Sequence, residues 1–167
     1  SMDVRYHLHG FEAIAKRLAS HTQTCVISFV DLYQKTRRNL RATTVREPSA
    51  DEITRLAAGL ASIASSYGIR IQSCAERIDL EPMGIRHGRC IDRMLIEELQ
   101  GARLNVARDR NQRPECGCVQ SVDIGVYDTC SHGCLYCYAN TDTKTVCRNR
   151  GLHDLSSPLL IGRMEEG

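Results

Sequence analysis

The sequence is poor in aromatic residues, since it lacks tryptophan altogether and has only two phenylalanines among 167 residues. Single-stranded nucleic acids bind on stacked aromatic side chains, so this scarcity argues against a nucleic-acid partner. A formal net charge of +2 gives no strong attraction to a polyanion either. The chain also lacks the run of roughly 18 apolar residues that a membrane-spanning helix requires, and we expect no membrane association.

No apolar stretch typical of a secretory signal opens the chain, and we therefore expect a cytoplasmic protein. In the reducing cytosol, cysteines more often bind metals or carry out redox chemistry than form disulfides. The chain has nine cysteines, and six of them lie in its last third: Cys116, Cys118, Cys130, Cys134, Cys137 and Cys147. This distribution predicts a single domain with a regular region over residues 1–101 and a cysteine-rich, metal-binding segment over 102–167 packed on it.

Local signals predict an α/β fold for the regular region. Asp3 and Ser49 are placed to cap helices, and Glu52 completes a capping box with Ser49. Apolar residues recur every three or four positions after both caps, which is the spacing of an amphipathic helix. Residues 25–30 and 69–74 are short apolar runs, typical of strands in a parallel sheet.

A third helix is predicted over residues 91–100, and alternating apolar residues predict a third strand over 122–126. Helices and strands that alternate in this order form parallel sheets flanked by helices, as in (β/α) barrels. A complete barrel takes about 250 residues, so the chain is expected to be part of a barrel or a small open domain. In a partial barrel the strands need a partner, which we expect to be a missing N-terminal half or a second copy of the chain.

Polar residues follow both predicted strands of the regular region. Asp31 comes after the first strand, while Cys74, Glu76 and Asp79 end or follow the second. Because functional groups of α/β proteins gather at the carboxyl ends of parallel strands, the three acidic side chains are candidates for substrate binding or acid–base catalysis, and Cys74 is a candidate functional residue. Core packing of Cys74 and backbone capping by the acidic residues are equally consistent with the sequence.

The most specific pattern is Cys-x3-Cys-x2-Cys, formed by Cys130, Cys134 and Cys137 around Gly133. Glycine allows the backbone to turn sharply or to approach a compact group closely. Three thiolates can bind three irons of a 4Fe–4S cluster, and the fourth iron then stays open to a small molecule. The pattern therefore predicts an iron–sulfur cluster that is able to activate a ligand.

Zinc binding is the alternative interpretation of the cysteine spacing. Cys116-x-Cys118 and Cys134-x2-Cys137 are spaced almost like the two knuckles of a four-thiolate zinc site. Such a site is closed and stabilises the fold without catalysing a reaction. Cys90 is a further candidate ligand, either for zinc or for a second metal site with Cys116 and Cys118.

The cysteine pattern, with Tyr136 before its last thiol, resembles the cluster loop of radical S-adenosylmethionine enzymes. More specifically, the segment 111–140 resembles a bacterial family of unknown function, domain-of-unknown-function family eighteen-forty-eight. The likeness extends to residues 25–38, 74–76 and 157–162, so it covers nearly the whole chain. Members of this family are usually longer, and the chain resembles their C-terminal half.

The resemblance implies that Cys130, Cys134 and Cys137 bind the 4Fe–4S cluster and that S-adenosylmethionine binds at its open iron. The implied function is radical chemistry on an unknown substrate. The chain is then either an enzyme of this kind or an inactive fragment of one. The alternative function is a non-catalytic, zinc-binding module that interacts with a partner.

Overall fold

A computed structural model of the protein describes residues 2–164 and confirms the predicted α/β class. The elements, in chain order, are α1 (Val4–Leu18), β1 (Thr24–Ile27), α2 (Gln34–Asn39), α3 (Ala50–Ser66), β2 (Arg70–Ser73), a 3-10 turn (Glu81–Met83), β3 (Arg86–His87), α4 (Arg93–Gln100) and α5 (Thr143–Gly151). None of the helices within residues 2–164 has both the length and the apolar character needed to cross a bilayer.

The chain folds as two units, each discontinuous in sequence. Unit 1 combines the residues up to Val30 with Glu47–Ser121, and it contains the sheet, α1, α3 and α4. Unit 2 combines Asp31–Arg46 with the residues from Val122 onward, and it contains α2, α5 and the cysteine-rich C-terminal region.

The sheet of unit 1 has three parallel strands in the order β1-β2-β3. β1 pairs with β2 from Thr24 opposite Arg70 to Ile27 opposite Ser73. β3 pairs with β2 on the other side, where His87 lies opposite Ser73. Because parallel neighbours need a crossover connection, α3 returns the chain from the end of β1 to the start of β2. All three strands therefore end at the same edge of the sheet.

The helices α1 and α3 begin where their caps predict. The Asp3 side chain accepts the backbone N–H of Tyr6 at the start of α1. Ser49 and Glu52 accept each other's backbone N–H groups at the start of α3, which confirms the capping box. α1 packs against α3, and the core of unit 1 consists of Ala15, Ile53, Ala57, Leu60, Ala64, Ile69, Ile71, Leu80 and Ile85.

The predicted third strand over 122–126 is wrong, because this segment forms no strand in the structure. The Asp123 carboxylate accepts the backbone N–H of Gly125 at 2.7 Å, and this local turn competes with extended pairing. Val122 and Ile124 are 89% and 94% exposed, so their alternation does not mark a buried face. The third strand is instead β3, whose two residues are polar and exposed.

β1 is also shorter than the apolar run that predicts it, since it ends at Ile27. The backbone N–H of Phe29 donates to Glu76 Oε1 at 2.7 Å instead of joining the ladder of the sheet. The side chain of Glu76 therefore ends the strand.

Candidate metal site

Three thiols of unit 1 lie together at the carboxyl end of β2. The Sγ atoms of Cys74, Cys116 and Cys118 are all within 4.8 Å of one another, and we name this group the thiol cluster. A tetrahedral zinc ion with Zn–S bonds of about 2.3 Å holds its sulfur ligands about 3.8 Å apart. The spacing of the three sulfur atoms is therefore close to what one metal ion requires. Within residues 2–164, no other three His, Cys, Asp or Glu side chains meet so closely.

Cys74 is placed by the sheet. Its backbone N–H donates to the carbonyl of Ile27 at 2.9 Å, which extends the pairing of β1 and β2 by one bond. Ala75, which follows it, is buried and has a φ of 55°, in the left-handed region that alanine rarely occupies. Residues with such backbone conformations cluster at ligand sites, where the surrounding structure enforces them. The backbone thus turns sharply directly after Cys74.

Cys116 and Cys118 are placed by hydrogen bonds, because their segment has no helix or extended strand. Cys116 donates its N–H to the carbonyl of Arg113 at 2.9 Å, forming a tight turn. The Arg108 guanidinium donates to the carbonyl of Cys116 at 2.7 Å. The carbonyl of Cys118 accepts the N–H of Asp109 at 3.0 Å. Both cysteines are buried.

The three thiols differ in how readily they ionise. Burial, and to a lesser extent the neighbouring Cys90 side chain, raises the pKa of Cys74 to about 11. Burial also raises the pKa of Cys116. For Cys118, burial acts in the same direction, but backbone N–H groups of Ile91 and Cys90 point at its sulfur and bring its pKa below the ordinary value. Cys118 therefore ionises more readily than Cys74 and Cys116, and metal binding has to displace the protons that the thiols carry.

The predicted iron–sulfur ligands lie in unit 2, on a loop over residues 130–137 that we name the cysteine loop. Cys130 and Cys134 are exposed, and Cys137 is half-buried. Gly133 has a φ of 63°, as expected for a glycine in a sharp turn, and Cys137 donates its N–H to the carbonyl of Cys134 at 3.0 Å. Within the described part of the chain, these three Sγ atoms are not all within 4.8 Å of one another, as those of the thiol cluster are.

Residues in and near α2 fix the backbone of the cysteine loop and the residues after it. The Tyr136 hydroxyl donates to the carbonyl of Asp31 at 2.5 Å. Asn39 donates to the carbonyl of Leu135 at 3.2 Å. The ammonium group of Lys35 donates to the carbonyls of residues 138 and 140. The loop is therefore held from outside while two of its thiols stay exposed.

The acidic residues that follow the strands act as backbone caps in the structure. Glu76 accepts the N–H of Phe29, and burial raises the pKa of the Glu76 carboxyl. Asp79 accepts the N–H of Glu81 at 3.0 Å at the start of the 3-10 turn. Asp31 belongs to unit 2. These contacts favour capping over acid–base catalysis for Glu76 and Asp79.

Cys74 is the member of the thiol cluster whose role the sequence leaves undecided. Its partners lie roughly 40 residues further along the chain, and a fold is needed to bring them together. The available signal is its place at the carboxyl end of a predicted parallel strand.

A parallel sheet whose central strand ends in a group of three close thiols defines an α/β protein with a candidate metal site. The family model described as domain of unknown function (DUF1848) matches residues 1–139, and the chain therefore belongs to this family. No curated protein and no solved structure matches the chain significantly. The matched region contains both the thiol cluster and the cysteine loop.

Proposed function

We propose that the protein is a metalloprotein whose unit 1 binds one zinc ion through Cys74, Cys116 and Cys118. The observation that carries this proposal is the mutual approach of their Sγ atoms to within 4.8 Å. Thiolates are soft ligands that favour zinc and iron, and zinc accepts the tetrahedral geometry without an electronic penalty. The N–H of Ile91, 3.4 Å from Cys118 Sγ, adds a hydrogen bond of the kind that orients metal ligands.

The role proposed for this ion is structural. Ala75, Cys116 and Cys118 form a small buried cluster that is separate from the main core of unit 1. Among the described residues, none after Ile85 contributes to the main core, and α4 buries none of its side chains. A metal ion bound here cross-links the segment around Cys116 to the end of β2. Apolar packing in this region is too sparse to hold the segment there by itself.

The proposal is tested by metal analysis of the full chain in which Cys130, Cys134 and Cys137 are replaced by alanine. This background removes the cysteine loop as a source of bound metal. We expect about one zinc per chain, and at least about 100-fold weaker binding after Cys118→Ser, because even loss of an outer-shell partner costs 10–100-fold. The matched control is Cys147→Ser, an exposed cysteine on α5. Equal zinc affinity in the Cys118 and Cys147 variants refutes the proposal.

A second function is proposed for unit 2, where the cysteine loop binds a 4Fe–4S cluster through Cys130, Cys134 and Cys137. The donor set supports it, since three soft thiols lie on one short loop and two of them are exposed. When bound and reduced by an external electron donor, a cluster with one open iron would supply the electron for reductive cleavage of S-adenosylmethionine. The chain contributes a loop backbone that is fixed by the hydrogen bonds from Tyr136 to the carbonyl of Asp31 and from Asn39 to the carbonyl of Leu135.

This second function is tested by anaerobic reconstitution with iron and sulfide. We expect about four irons per chain and a visible charge-transfer absorbance, both lost after Cys134→Ala and both kept after Cys147→Ala. The zinc content of unit 1 is expected to be the same in both variants. Unchanged iron binding in the Cys134 variant contradicts an iron–sulfur cluster on this loop.

A further inference from the structure

The thiol cluster supplies three ligands, whereas structural zinc and iron sites bound by thiolates are closed by four. We infer that Cys90 provides the fourth thiolate and that the centre of unit 1 is a closed four-cysteine site. This inference rests on the proposed zinc binding of unit 1. It adds one ligand to that site and assigns the site no open position for a substrate.

Residues on both sides of Cys90 bond to the elements that carry the thiol cluster. Gly88 donates its N–H to the carbonyl of Ser73, the residue before Cys74, at 2.7 Å. Ile91 donates its N–H to Cys118 Sγ at 3.4 Å, and its carbonyl accepts the N–H of Val119 at 3.2 Å. Cys90, between these two anchored residues, is therefore held beside the cluster, and its proximity contributes to the raised pKa of Cys74. This is the arrangement of a ligand whose neighbouring amides also stabilise the thiolate beside it.

Two glycines bring the segment that carries Cys90 close to the cluster. Gly88 donates its N–H to the carbonyl of Ser73 at 2.7 Å, and a Cβ atom there would lie 2.5 Å from Oε1 of Gln72. Gly117, between the two cluster cysteines, lies against Arg89, and a Cβ atom there would come within 3.0 Å of Nε of Arg89. A larger residue at position 88 would clash with Cβ of Gln72 at 2.7 Å, close to the backbone of β2, whereas one at position 117 would require the flexible Arg89 side chain to shift. The absence of side chains here therefore allows the close approach.

Exposure distinguishes Cys90 from the other ligands. Cys116 and Cys118 are buried and Cys74 is half-buried, while Cys90 is exposed. An exposed side chain moves between staggered χ1 positions easily, so the Cys90 thiol can turn toward an ion that the other three thiols already hold. The three inner thiols therefore form the preorganised part of the site, and Cys90 closes it from the solvent side.

The experiment uses cobalt(II) as a spectroscopic probe in the full chain with Cys130, Cys134 and Cys137 replaced by alanine. Sulfur-to-cobalt charge-transfer absorbance scales with the number of thiolate ligands. We expect Cys90→Ser to lower it by about a quarter, from four thiolates to three, and to weaken cobalt binding at least about tenfold. Cys90→His is expected to restore tetrahedral cobalt bands, because imidazole replaces a thiolate in such sites.

The outcomes separate the two proposals. If the parent protein binds no cobalt, or if Cys118→Ser binds it as tightly as the parent does, the metal site itself is refuted. If cobalt binds and depends on Cys118 but the Cys90→Ser spectrum equals that of the parent, only the fourth ligand is refuted. Thermal unfolding followed by circular dichroism checks that Cys90→Ser retains the fold, as expected for an exposed residue.

Discussion

Amide exchange in the segment 107–120 is expected to rise about 1000-fold when a chelator removes the metal ion from unit 1. The backbone amides of Asp109, Cys116, Val119 and Gln120 donate hydrogen bonds that hold this segment. The ion closes a loop of roughly 40 residues between Cys74 and Cys116, and a cross-link of that length contributes about 4 kcal/mol. This free energy corresponds to the 1000-fold change, measured by hydrogen exchange and mass spectrometry.

The same measurement contains its control. The amides of α3 and β2 belong to the main core, which includes none of the cluster cysteines, so their exchange is expected to change little. In Cys118→Ser the chelator is expected to have no effect on the segment 107–120. Uniform loss of protection over the whole of unit 1 contradicts a local role for the ion, and unchanged protection after zinc removal contradicts a structural role altogether.

Ile85→Ala is expected to lower the free energy of unfolding of unit 1 by about 2–5 kcal/mol, the usual cost of a large-to-small change in a packed core. Ile85 is 0% exposed and lies directly before β3. Its N–H donates to the carbonyl of Leu80, so the residue fixes the chain at the start of that strand. Urea unfolding followed by circular dichroism measures the change, because the chain has no tryptophan to report by fluorescence.

The matched control for this variant is Leu99→Ala, a large apolar residue of the same unit that is 77% exposed on α4. Its effect is expected to stay within about 0.5 kcal/mol, as for most surface substitutions. If the two variants unfold at the same urea concentration, the core around Ile85 does not stabilise unit 1 in the way its burial indicates.

The parts of the fold that depend on local chemistry were predictable. The caps at Asp3 and Ser49 place the starts of α1 and α3, because a cap and the amides it satisfies lie within three residues. β3 was not predictable, since its two polar residues pair only because β2 lies beside them. α5 was missed because its sequence carries a single buried residue, Val146, and so lacks an apolar stripe.

The candidate site, like the fold, has one part that local sequence predicts and another that depends on tertiary structure. The spacing of Cys116 and Cys118 marks them as a ligand pair, because two residues apart they share one turn. Their meeting with Cys74 depends on how β2 ends and on the turn that Arg108 orders, and these are tertiary features. The ligand roles of Cys130, Cys134 and Cys137 stay a prediction.

The discontinuity of the units has a genetic consequence. The chain leaves unit 1 after Val30, returns at Glu47 and leaves it again after Ser121. A chain truncated after residue 121 keeps the first piece of unit 2 but loses the cysteine loop. Lys35 and Asn39 of that piece then lack the carbonyls of residues 138 and 135 to which they donate. A chain that starts at residue 122 contains the cysteine loop without Lys35 and Asn39. No single cut therefore separates the two groups of cysteines as intact modules.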